Sequence, residues 1–151
     1  MNESVEIVVA DRPFTVRRTA RWVDCDPAGV VYAGRYPDYL LGAVGHFLRA
    51  LRGAPVALAP EVDLICKHMA LTFQASLCPD DVVDIRLGIG QVREHSFDIV
   101  AEARRLDGRS AFGGVFTPIC VPQGRLDKKA PIPPALRQAL ERQLIVNGSM
   151  S

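Results

Sequence analysis

The 151-residue sequence lacks the features that mark a membrane, secreted or nucleic-acid-binding protein. No apolar run approaches the roughly 18 residues of a membrane span, and MNESVEIVVADRPF lacks a cationic leader followed by a cleavable apolar segment. The 18 Lys plus Arg and 17 Asp plus Glu leave a formal charge of +1, which gives no strong field for attracting nucleic acid or anionic membrane. The sequence therefore predicts a cytoplasmic protein without nucleic-acid or membrane partners.

The cysteines are few and scattered, at Cys25, Cys66, Cys78 and Cys120, with no CxxC pair. This spacing indicates neither a zinc site nor a disulfide framework. We expect no metal and no cofactor. Hydrophobic residues make up 48% of the chain, which supplies a sizeable core. At this length we interpret residues 1–151 as one domain with a core over about 14–121.

Apolar residues alternate with polar ones in several segments, which predicts half-buried antiparallel strands. The first is Val5 to Val23, interrupted near residues 11–13. The others, placed by their apolar positions, are 69–75, 83–89, 97–103 and 110–121. The Asp107-Gly108 pair favours a tight hairpin before the last of them.

A long helix is predicted between the first two strand regions. Pro37 suits its first turn, and Gly53 with Pro55 indicates its end before a loop at 53–60. Its apolar residues leave little polar surface, so we expect other elements to cover it on most sides. A second, short helix is predicted at 134–144, before a polar tail.

The order of these elements favours an α+β fold in which a curved antiparallel sheet wraps one long central helix. One helix leaves apolar strand residues such as Val82 and Val100 unaccounted for. We therefore expect dimerisation that extends the sheet across two subunits.

Two carboxylates, Asp24 and Asp26, lie in the run DCDPAGVVY just before the predicted helix. Backbone N–H groups at a helix start can stabilise an oxyanion, and a carboxylate can attack a carbonyl or activate water. The alternative is that the acids only start a turn and cap the helix.

The run DCDPAGVVY resembles the signature Asp-x-Asp-Pro-Ala-Gly-(Ile/Val)-Val-aromatic of the 4-hydroxybenzoyl-CoA thioesterase family of the hotdog-fold superfamily. TFQASLCPDDVVDI at 72–85 and REHSF at 93–97 extend the resemblance more weakly, to roughly residues 14–121. The resemblance implies a hotdog fold, a dimer commonly paired into a tetramer, and hydrolysis of an acyl-CoA at a site between subunits. A thioester of acyl carrier protein is an acceptable variant of the substrate, and the family needs no metal or redox cofactor.

By position, the resemblance makes Asp26 the nucleophile or general base and the backbone N–H of Ala33 the oxyanion donor. Asp24 holds the turn. The family often has Tyr or His where this sequence has Ala33, so only the backbone role carries over. Tyr32 and Gly34 are expected beside them in the substrate site.

Leu41 stands where the 4-hydroxybenzoyl enzyme has an acid for the substrate's phenol, so we expect a more apolar aryl or medium acyl group. The alternative is that a polar group from the partner chain replaces the missing acid. Thr72, Arg93 and His95 complete the expected substrate-binding set. Arg93 either binds a phosphate of CoA or is a solvated charge at the rim.

Two other functions remain open at this point. A hotdog hydratase or dehydratase typically uses an Asp and His pair before the long helix, and DCDPAG contains no His. The other alternative is a noncatalytic acyl-CoA-binding protein that has lost the catalytic site. Ala33 and Leu41, which differ from the residues of the family, would be the signs of that loss.

Overall fold

A computed structural model describes residues 5–52 and 61–145. In chain order its elements are β1 (Glu6–Asp11), β2 (Phe14–Thr19), α1 (Tyr36–Arg52), β3 (Val62–Phe73), β4 (Val82–Val92), β5 (Phe97–Arg105), β6 (Ser110–Pro122) and α2 (Pro134–Glu141). Single 3-10 turns at Trp22–Asp24 and Ala33–Arg35 lie between β2 and α1. The turns matter because they flank the run DCDPAGVVY.

The strands form one six-stranded sheet in the order β1-β2-β4-β5-β6-β3. Every neighbouring pair is antiparallel, which confirms the predicted α+β class and antiparallel sheet. The extended region from Val5 to Val23 is two paired strands, β1 and β2, and it ends at Thr19. The sheet therefore has two edges, β1 and β3.

The 17-residue helix α1 packs one face on the sheet. Leu40, Val44, Phe47 and Leu51 are buried, as their helical spacing predicts, because this face meets the apolar side of the central strands. On the other side Leu41 is 42% exposed. One chain supplies one sheet, and that sheet lies on one side of α1, so the single chain does not confirm a helix covered on most sides.

Strand β3 corrects the expectation of half-buried strands. Met69 and Phe73 belong to its predicted apolar face, yet they are 39% and 52% exposed. The alternation correctly predicts that they share a face, since the ring of Phe73 contacts Tyr36 of α1 at 5.0 Å between centroids. Because β3 is an edge strand, the helix covers that face only in part.

The C-terminal helix α2 begins at the predicted Pro134 and ends at Glu141 rather than at residue 144. It buries Leu136, Ala139 and Leu140, and the backbone after it pairs with Ile89 of β4. The predicted helix stop at Gly53 and Pro55, the loop 53–60 and the polar tail lie outside the described residues. Within the described ranges no helix is long and apolar enough to cross a membrane. The cytoplasmic location stays a prediction.

Candidate active site

The run DCDPAGVVY folds into a tight hairpin, which we call the Asp26 loop (residues 24–32). The N–H of Asp26 donates to the carbonyl of Val30 at 2.9 Å, and the N–H of Tyr32 donates to the carbonyl of Asp24 at 2.8 Å. Gly29 turns the chain with a φ of +83°, a conformation that a side chain would strain. Backbone hydrogen bonds therefore close the loop at its base, immediately before Ala33.

Asp26 lies at the tip of this hairpin and is partly exposed. Its Oδ1 accepts the N–H of Ala28 at 2.8 Å, an Asx turn of the kind that Asp before Pro favours. Among the residues that the structure describes, no group donates a hydrogen bond to Oδ2. One carboxylate oxygen is thus fixed by the turn while the other is available for chemistry.

Ala33 opens the 3-10 turn that runs directly into α1. Within the described chain the N–H groups of Ala33 and Gly34 donate to no acceptor, as expected of the first residues of a helical segment. They carry the partial positive charge of the helix start. Two free donors therefore follow the Asp26 loop in sequence.

Tyr32 and Gly34 lie against each other beside these donors. The Tyr32 ring is 58% exposed, and a Cβ at Gly34 would come within 2.5 Å of its Cε1. The missing side chain of Gly34 lets the ring lie against the backbone. The structure therefore places both predicted substrate-site residues next to Ala33.

Asp24 has the structural role expected of it. Its side chain is 3% exposed, and its Oδ2 accepts the hydroxyl of Tyr39 at 2.8 Å and the N–H of Arg21 at 3.3 Å. The guanidinium groups of Arg21 and Arg18 lie 3.7 Å and 3.9 Å from the same oxygen. Burial acts to raise the pKa of Asp24, but these bonds and charges outweigh it and hold the pKa below its ordinary value of 3.8.

The lowered pKa of Asp24 predicts a contribution to acid stability. A carboxyl whose pKa is lower in the folded state stabilises the fold above the unfolded-state pKa, and this is lost as the pH falls through the folded-state pKa. We expect Asp24→Asn to be less stable than wild type at pH 7 and the difference to shrink below about pH 4. Urea unfolding at several pH values measures it. A difference that stays constant with pH would contradict the prediction.

Within the described residues, no hydrogen bond or ion pair joins the other predicted substrate residues to the Asp26 loop. Thr72 is exposed on the face of β3 opposite to Leu71 and Phe73, which face the helix. Leu41 is on the exposed side of α1, one helical turn beyond Pro37. The part of Thr72 in the substrate site therefore stays a prediction.

Arg93, in the turn between β4 and β5, is bound within its own chain. Its two terminal nitrogens donate to the Asp98 carboxylate at 3.0 and 2.8 Å and to Ser96 and Gln91 at 3.4 and 3.2 Å. The bonds from Arg93 are the main cause of the lowered pKa of Asp98. The guanidinium therefore has few donors left for a phosphate. Sequence spacing does not indicate this pair, because Asp98 meets Arg93 only through the turn between β4 and β5.

His95 follows in the same turn, with Nε2 at 3.6 Å from Glu94 Oε2 and a buried Nδ1 that has no hydrogen-bond partner among the described residues. A cleft of about 520 Å³ is lined by Lys67, His68, Arg93, Asp98, Val115 and Thr117. There Thr117 and Arg93 together donate three hydrogen bonds to the Asp98 carboxylate. Among the described residues no group of three His, Cys, Asp or Glu side chains is placed to hold a metal ion.

The sheet order, the helix on one face and the loop before it define a hotdog-fold protein. Solved structures with this fold match most of the chain. A thioesterase superfamily protein from Jannaschia sp. CCS1 matches with a TM-score of 0.79 and 22% identity over 91% of this chain and 96% of that one. A 1,4-dihydroxy-2-naphthoyl-CoA thioesterase from Synechocystis matches with a TM-score of 0.72 and 23% identity, over 84% of this chain and 94% of that one. A gentisyl-coenzyme A thioesterase matches with a TM-score of 0.70 and 22% identity, over 83% of this chain and 98% of that one.

A family model described as thioesterase-like superfamily matches residues 20–140, and the chain belongs to that family. The resemblance stated from DCDPAGVVY is thereby confirmed, and so is the expectation of a thioesterase at the level of the family. No curated protein sequence gives a significant match. The matched range contains the Asp26 loop, α1 and every predicted site residue.

Proposed function

We propose that this protein hydrolyses an aryl-CoA or medium acyl-CoA thioester to the free acid and CoA. The observation that carries the proposal is the arrangement of the Asp26 loop, in which a carboxylate with one unbonded oxygen precedes the free N–H groups of Ala33 and Gly34. Membership of a thioesterase superfamily supports the same reaction.

The reaction needs a nucleophile and a site for negative charge. Asp26 either attacks the thioester carbonyl to give an anhydride that water hydrolyses, or takes a proton from the attacking water. The carbonyl oxygen becomes an oxyanion, which the N–H of Ala33 stabilises. The C–S bond then breaks, the thiolate of CoA leaves and is protonated, and the acid is released.

The active unit that we propose is a dimer formed along β3, with pairing of dimers as the larger assembly. Strand β3 is an edge of the sheet, and it exposes the large apolar side chains of Met69 and Phe73. Within the described residues, no hydrogen bond or ion pair joins Thr72, Arg93 or His95 to the Asp26 loop of their own chain. A second copy is therefore the natural source of the remaining substrate contacts.

Leu41 is proposed to contact the acyl group and to favour an unsubstituted ring. It is exposed on α1, beyond the Ala33 donor. A phenol hydroxyl that loses its partner against Leu costs about 1–3 kcal/mol. The apolar side chain thus predicts faster hydrolysis of benzoyl-CoA than of 4-hydroxybenzoyl-CoA.

We expect Leu41→Glu to raise the ratio of kcat/KM for 4-hydroxybenzoyl-CoA over benzoyl-CoA about tenfold, because the new carboxylate accepts the phenol O–H. Thiol release with the two substrates measures the ratio. Ala50→Glu, which adds the same charge at an exposed position further along α1, serves as the control and leaves the ratio unchanged. An unchanged ratio in Leu41→Glu would show that Leu41 does not contact the acyl group.

The experiment that tests the function is thiol release from benzoyl, phenylacetyl, short and medium acyl-CoA, with a carrier-protein thioester in parallel. Hydrolysis of at least one substrate with saturable kinetics supports the proposal. Binding of these thioesters without release of thiol would instead favour a noncatalytic acyl-CoA-binding protein. Hydration of an enoyl-CoA in the same preparation would favour the hydratase.

A further inference from the structure

A network of buried and partly buried charged and polar groups connects the Asp26 loop to α1. Tyr39, in the first turn of the helix and 0% exposed, donates its hydroxyl to Asp24. The guanidinium carbon of Arg18 lies 4.4 Å from the centroid of the Tyr39 ring, and this side chain is 13% exposed. Asp24 is therefore held from the helix by Tyr39 and from β2 by Arg18.

The network continues from Arg18 to β1. Its NH1 donates to Glu6 Oε2 at 3.1 Å, and Glu6 Oε1 lies 2.8 Å from Nε2 of His46 on α1. The Glu6 carboxylate covers Gly42, where a Cβ would come within 2.3 Å of it. The absence of a side chain at Gly42 lets Glu6 reach both partners, so Arg18 is itself fixed against the helix.

The main chain carries this restraint to the reacting groups. The carbonyl of Asp24 accepts the N–H of Tyr32, so Asp24 pairs with the residue that precedes Ala33. Asp26 lies two residues beyond Asp24 in the same hairpin. A shift of Asp24 relative to α1 would therefore change the distance between the Asp26 carboxylate and the Ala33 donor.

We propose that Tyr39 and Arg18 are positioning residues of the reaction, which fix the Asp26 loop to α1 so that carboxylate and oxyanion donor keep a productive separation. Neither side chain needs to touch the substrate. The inference rests on the proposed hydrolysis, which requires both groups at one carbonyl. Misplacement of a catalytic group by about 1 Å can reduce the rate by about a hundredfold.

The test is Tyr39→Phe, which keeps the buried ring and removes only the hydroxyl. We expect kcat to fall about ten- to a hundredfold with KM changed less than about twofold, because substrate contacts remain while the reacting groups lose their alignment. Val44→Ala is the matched control, a buried position of the same helix with no part in the network. It should lower the melting temperature at least as much and leave kcat near wild type.

A second readout is independent of activity. Trp22 is the only tryptophan, is 72% exposed, and opens the turn that ends at Asp24. In Tyr39→Phe we expect lower fluorescence anisotropy of Trp22 and more quenching by acrylamide, since the turn is no longer held. Arg18→Lys keeps the charge but cannot reach Glu6 and Asp24 together, and we expect it to change both readouts in the same direction.

Equal loss of kcat in Tyr39→Phe and Val44→Ala, or an unchanged Trp22 signal in both Tyr39→Phe and Arg18→Lys, would overturn the positioning role. Failure of the function is recognised separately. If wild type releases no thiol from any thioester, the proposed hydrolysis is wrong, and the Trp22 signal of the two variants still decides whether Tyr39 and Arg18 hold the loop.

Discussion

Asp26→Asn is expected to lower kcat for thioester hydrolysis by about 10²- to 10⁴-fold, the range for removal of a general base or nucleophile. The substitution suits the site because Oδ1 of Asp26 accepts the N–H of Ala28, and an Asn oxygen can accept the same bond. The turn is therefore kept while the charge is removed. We expect a melting temperature close to that of wild type and a measured loss that comes from chemistry.

Asp38→Asn is the control for this prediction. Asp38 is an exposed carboxylate in the first turn of α1, paired with Arg35 at 3.7 Å, so it shares the helix-start environment. We expect near-normal kcat. Hydrolysis that is unchanged in Asp26→Asn would contradict the catalytic role and leave Asp26 as a turn residue.

Isotope labelling of wild type addresses the two roles left open for Asp26. If Asp26 is a nucleophile and water attacks the anhydride at the Asp26 carboxyl carbon, turnover in ¹⁸O-water places the label in Asp26 and an unlabelled Asp26 oxygen in the product. If Asp26 is a general base, water attacks the thioester carbonyl and the label appears in the product alone. Mass spectrometry of the peptide containing Asp26 after repeated turnovers therefore identifies a nucleophile by its ¹⁸O.

The secondary structure was predictable where packing follows periodicity. Leu40, Val44 and Phe47 of α1 are buried at the spacing that predicts a helix, and Ile85 and Ile99 of the central strands are buried at period two. Periodicity does not show whether another element covers the face on which the apolar residues of a strand lie. The exposed face of β3 has the same alternation as the buried faces of β4 and β5, and only the strand order places β3 at an edge.

The candidate site was predictable where it depends on neighbours in sequence. Asp26, Ala33, Tyr32 and Gly34 lie within one short run, and the fold keeps them adjacent. The bonds from Tyr39 to Asp24 and from Arg93 to Asp98 depend instead on how a helix and a β-turn are placed. No spacing in the sequence indicates such pairs, because each partner alone is an ordinary polar residue.

Conversion to a monomer is expected to remove most of the activity, because we place the active site between two copies joined along β3. The variants are Met69→Lys, on the helix-facing side of the edge, and Ala70→Lys, on its other side, where no core contact is lost. Lysine on an edge strand opposes pairing with another chain. We expect both variants to run as monomers in size-exclusion chromatography with light scattering, and wild type to run as a dimer or a pair of dimers.

The activity of these variants should depend on protein concentration. A weakened dimer reforms by mass action, so specific activity rises with enzyme concentration in Met69→Lys and Ala70→Lys and stays constant in wild type. Ile7→Lys makes the same change on β1, the opposite edge, where Ile7 is 48% exposed, and we expect the β3 dimer and its activity to persist. A folded monomer with wild-type kcat would show that one chain carries the whole site, and the proposal of a shared site would be wrong.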